Sequence, residues 1–65
     1  MDVIYLEDKT LIKSNILGYR YFSQYYFYGI EITYKENGKT TQFDMTSLDE
    51  NKVRNWIKLL DRELK

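Results

Sequence analysis

The chain has no cysteine, no histidine and no proline, and only three glycines among its 65 residues. Without cysteine there is no disulfide framework and no thiolate metal site, so an apolar core must hold the fold by itself; this suits a reducing cytosol. Without histidine the usual general base and the commonest neutral metal ligand are missing. Without proline, polyproline and rigid-linker readings fail. Glycine is too sparse for a phosphate-cradling loop, and no GxGxxG occurs. No apolar run approaches the ~20 residues of a membrane span, and no secretory leader is visible, so a cytoplasmic protein is expected. Ten Lys and Arg cancel ten Asp and Glu. A neutral chain disfavours nonspecific nucleic-acid binding, which draws on excess positive charge. The length allows one domain, 1–65, with a small core.

What the chain does contain is aromatic: seven tyrosines, three phenylalanines and one tryptophan. The stretch from Gly18 to Met45 holds most of them and organises the rest. Asn37-Gly38 is a favoured dipeptide for a type I′ turn, which needs positive φ at both central residues. Centring a hairpin there pairs Glu36 with Lys39, Tyr34 with Thr41, Ile32 with Phe43 and Ile30 with Met45. Alternation then places Ile30, Ile32, Tyr34, Phe43 and Met45 on one face. Glu31, Thr33, Lys35, Thr40, Gln42 and Asp44 take the other. Turn chemistry and apolar alternation select the same register independently.

Upstream, Val3–Leu6 reads as a strand and Glu7–Thr10 as a turn. Leu11–Leu17 fits neither period and reads as an extended lead-in, with a short helical turn as the alternative. Ser23-Gln24, the polar break between Tyr19 and Tyr28, suggests a second tight turn. That turn would pair Tyr21 with Tyr26, Tyr19 with Tyr28 and Leu17 with Ile30, adding Leu17, Tyr19, Tyr21, Tyr26 and Tyr28 to the core face. One long strand bent at Gly29 is the alternative. Downstream, Val53, Trp56, Ile57, Leu60 and Leu64 keep helical spacing and form one stripe. The helix starts either with Ser47 and Glu50 as a capping box, or with Asp49 as the cap and Leu48 stapled to Val53. Leu59 falls outside the stripe. The expected fold is α+β: a small antiparallel β-sheet of three to four strands, packed on one face by a C-terminal α-helix.

No catalytic constellation emerges. Ser14, Ser23 and Ser47 have no histidine to activate them. Glu31 and Asp44 are cross-strand neighbours, but two carboxylates fall short of a calcium site, and a solvated face is the simpler account. No enzyme activity, cofactor or metal is expected.

A binding face is the sharper expectation. One helix covers one face of a sheet, which leaves Arg20, Phe22, Tyr25, Phe27 and Glu31 on the other. Tyrosine and arginine are enriched where proteins meet, and several aromatics beside an arginine exceed scattered apolar surface. The bland alternative is that Val3–Leu6 folds over these rings and makes them core. Single-stranded nucleic acid could stack on them, but cations to track phosphates are few, so protein partners lead.

The stretch Tyr28-Gly29-Ile30-Glu31-Ile32, with Glu36-Asn37-Gly38, Leu48–Val53 and Leu59-Leu60, resembles small α+β domains of low-GC Gram-positive bacteria that have no assigned activity. In size and layout the chain also resembles inhibitors encoded by phages and mobile elements, such as anti-CRISPR proteins. That resemblance implies a protein that occludes a larger host protein, such as a nuclease or nucleoprotein complex. Many such inhibitors are acidic DNA mimics; this chain is neutral, so shape and aromatic contacts would have to serve. Homodimerisation through the same face is the competing expectation.

Overall fold

The computed structural model describes residues 2–64. Five strands and one helix follow in order: β1 (Val3–Leu6), β2 (Lys9–Ile12), a 3-10 turn (Lys13–Asn15), β3 (Ile16–Ser23), β4 (Tyr28–Glu36), β5 (Lys39–Ser47) and α1 (Glu50–Leu64). They form an antiparallel sheet in the order β3-β4-β5 and a separate two-stranded sheet, β1-β2. The Asn37-Gly38 hairpin has the register its turn dictates, including Ile30 opposite Met45 and Glu36 opposite Lys39. Asn37 and Gly38 both take positive φ, 54° and 78°. Ile30, Ile32, Tyr34 and Met45 are buried on the face shared with Val53, Trp56 and Leu60 of α1.

β1 and β2 complete that core from the same side. Ile4, Leu6 and Leu11 join the buried cluster, and the backbone N–H of Ile12 donates to the Tyr34 hydroxyl at 3.1 Å. The turn between β1 and β2 is shorter than the expected Glu7–Thr10, because Lys9 and Thr10 already pair in β2. Glu7 carries it with φ of 54°, a conformation uncommon for a residue with a side chain. Its carboxylate accepts a bond from the Trp56 indole N–H at 3.3 Å and meets Lys52 Nζ at 3.1 Å. Those contacts hold the turn against the helix and offset the backbone cost.

The connection after β3 and three core assignments also need correction. The connection after β3 is not a two-residue turn at Ser23-Gln24 but a four-residue loop, Gln24–Phe27, closed by the Gln24 N–H donating to the Phe27 carbonyl at 2.8 Å. Ser-Gln does not favour the positive φ of a primed turn, whereas four-residue loops built on type I turns accept ordinary residues. Tyr21 therefore faces Ile30, and Tyr19 faces Ile32. The shift spans an even number of residues, so Tyr19 and Tyr21 keep the helix-side face, but only Tyr19 packs against the core; Tyr21, on the edge strand, is exposed. Tyr26, expected in the core, is lifted out on the loop and exposed. Leu17, also expected in the core, sits in a bulge between Ile16 and Gly18, which turns Ile16 inward and Leu17 outward.

At the helix start Asp49 is the cap: its Oδ1 accepts from the Asn51 N–H, and its carbonyl from the Val53 N–H. Ser47 Oγ accepts from the Asp49 N–H instead of closing a box with Glu50. Leu48 is 81% exposed, so no staple to Val53 forms. Leu59 is not an outlier but packs partly against the core.

Candidate functional site

Because α1 and the β1-β2 hairpin occupy the same side of the main sheet, Val3–Leu6 does not cover the other side. Arg20, Thr40, Gln42, Asp44 and Thr46 are exposed there, and Glu31 and Thr33 half-buried. Arg20 stands directly opposite Glu31 across β3 and β4, with Nε 2.9 Å from Oε1. The hydrogen bond from Arg20 holds the Glu31 carboxyl below its usual range, and Glu31, with Asp44 farther off, raises the guanidinium. One arginine thereby offsets the like-charge pair that Glu31 and Asp44 make across β4 and β5.

The aromatics gather at one end of this face. Phe22 lies opposite Gly29, and its ring occupies the space a side chain there would fill: a Cβ on Gly29 would meet Phe22 Cζ at 2.6 Å. Phe27 meets Phe22 edge-on, with centroids 6.3 Å apart. Both rings are half-buried, so they form a small support. Beyond them, at the loop tip, Tyr25 and Tyr26 meet edge-on at 4.7 Å and remain 88% and 76% exposed. Leu48 follows Ser47, which pairs with Tyr28, so this bare leucine borders the same end of the sheet.

Of the five residues singled out from sequence, Phe22, Tyr25 and Phe27 belong to the aromatic end, while Arg20 and Glu31 form an ion pair farther along the strands. Tyr26 and Leu48 were missed. Alternation assigned Tyr26 inward; only the length of the loop, which sequence leaves open, reverses it. Among the described residues no group of three or more acidic, histidine or cysteine side chains could hold a metal ion. Gly38-Lys39-Thr40 spells the last letters of a phosphate-binding loop, but position 33, where that loop begins with glycine, is Thr33. The triplet also runs from the hairpin turn into β5, not into a helix. No described helix is long and apolar enough to cross a membrane. No family model, curated protein or solved structure matches the chain.

Proposed function

We propose that the chain is a non-enzymatic protein-binding module that engages its partner through the aromatic end of the uncovered sheet face. Tyr25 and Tyr26 are the anchors, Phe22 and Phe27 their support, and Arg20 with Glu31 the polar margin. The observation that carries this reading is the exposure of two tyrosines, meeting edge-on, on the short loop that joins β3 to β4. Rigid aromatics presented in this way lose little conformational freedom on binding, and such residues dominate interface energetics. In its finer form the reading is a cytoplasmic inhibitor, of the phage or mobile-element kind, that occludes a larger host protein such as a nuclease. The neutral charge then assigns the work to shape and ring contacts, not to mimicry of phosphates.

The test compares immobilised wild-type chain with the Tyr25→Ala/Tyr26→Ala variant in host lysate. The expected result is one protein retained by the wild type and released by the variant, with the thermal midpoint of the variant nearly unchanged. Steeply salt-dependent micromolar binding of single-stranded DNA would transfer the face to nucleic acid. A dimer persisting on dilution in light scattering would assign it to a second copy.

A further inference from the structure

We propose that the groove between the outer edge of β3 and the adjoining flank of α1 is a second site, which takes an extended acidic segment of another protein as an added strand. β3 ends the sheet, so its outward N–H and C=O groups have no neighbouring strand. The chain has no proline to block this edge, and the single register irregularity lies at Leu17, which leaves Gly18–Ser23 regular. The opposite edge, β5, is crowded instead: Glu7 and Asp8 of the β1-β2 turn and Lys9 of β2 border a depression with Asp44, Met45 and Thr46.

Beside β3 the surface is hollowed twice. One depression of about 390 Å³ is lined by Tyr21, Ile57, Arg54 and Lys58. A second, of about 370 Å³, includes Tyr19 and Leu64. Tyr19 and Tyr21 are successive residues on one face of a strand, so the hollows repeat at the spacing of alternate side chains in an extended peptide. Strand addition to such an edge takes affinity from main-chain bonds and specificity from alternate pockets.

Charge selects the occupant. The acids on this flank are already engaged: Glu50 accepts from Tyr21 and Arg54, and Asp61 accepts from Tyr19. Lys58, four residues beyond Arg54, has no acidic partner among the described residues. An incoming carboxylate meets Lys58 and the outer side of Arg54, whereas a basic segment meets two cations.

The probe is an octapeptide alternating glutamate and valine, with the lysine–valine octapeptide as control, titrated into isotopically labelled protein and followed by amide NMR. The expected shifts map to Gly18–Ser23 and Arg54–Lys58, with slowed exchange of β3 amides. Lys58→Glu, an exposed change that keeps the fold, weakens the acidic peptide about five- to tenfold and strengthens the control. Tyr25→Ala/Tyr26→Ala leaves this binding unchanged, so the site stands or falls apart from the aromatic end. Shifts confined to residues 22–27, equal binding of both peptides, or no shift at millimolar peptide overturn the proposal. Protection of the β3 amides by self-association without peptide overturns it too, because a second copy then fills the edge.

Discussion

Gly29→Ala tests whether the Phe22 ring is seated on the sheet as described. An added Cβ would lie 2.6 Å from Phe22 Cζ and 2.7 Å from the Met45 carbonyl oxygen, both well inside contact distance. The ring can swing away, although Phe27 stands edge-on behind it; the carbonyl belongs to β5 and cannot. Gly29 does not have positive φ, so backbone strain adds nothing, and alanine gains about 0.4–1 kcal/mol by restricting the unfolded chain. Overpacking costs about 1–3 kcal/mol, and two contacts this short, one of them to backbone, put the cost in the upper part of that range, so the net loss is about 1–2 kcal/mol. The fold as a whole holds only roughly 3–10 kcal/mol at this length. Urea denaturation followed by Trp56 fluorescence should show the midpoint falling by about 1 M or more. Phe22→Ala resolves the two contacts. In that background the ring contact is gone and the carbonyl contact remains, so Gly29→Ala should cost about 1 kcal/mol less. An equal cost in both backgrounds would refute the seating of Phe22 on Gly29, and with it the support assigned to the aromatic end.

Other consequences follow from the helix and its neighbours. Asp49→Ala removes the acceptor for the Asn51 N–H and should cost about 1 kcal/mol, while Ser47→Ala, which loses a single exposed bond, should cost less in the same denaturation assay. Burial first, and the bond to Asp61 second, push the Tyr19 hydroxyl up to about 12 from its usual 10.0. Because the unfolded chain ionises first, the stability tied to Tyr19 is intact below about pH 10 and lost as pH rises toward 12. Tyr19→Phe should flatten that alkaline decline in a pH series of thermal melts. Depressed Glu31, Glu50 and Glu63 carboxyls act oppositely: their contribution is present above the ordinary carboxylate range and fades as acid protonates them.

Much of this architecture was legible in the residues. Asn37-Gly38 tolerates the conformation a tight hairpin requires, and its register agreed with the apolar alternation, so β4, β5 and the face toward α1 could be assigned together. The helical stripe through Val53, Trp56 and Leu60 was equally plain. Illegible parts depended on contacts distant in sequence. Nothing local distinguishes a two-residue connection at Ser23-Gln24 from the loop Gln24–Phe27; the choice is made where β3 docks beside Ile30 and Ile32. The same docking bulges Leu17 and frees Tyr26. Glu7 takes an uncommon φ because Trp56 and Lys52, more than forty residues away, supply its partners. The candidate face was half legible: alternation found Phe22 and Phe27, whereas the exposure of Tyr26 and Leu48 awaited the loop and the cap.

The central claim is that one side of the three-stranded sheet carries both α1 and the β1-β2 hairpin while the other side is bare. Since the chain contains no cysteine, single-cysteine variants report each position without background. Native-state maleimide labelling of Gln42→Cys and Asp44→Cys should proceed at the rate of a free thiol, with Met45→Cys and Tyr34→Cys protected by at least about a hundredfold, the factor that a local opening of ~3 kcal/mol implies. Slow labelling at 42 and 44, or fast labelling at 34 and 45 under folded conditions, would contradict the account.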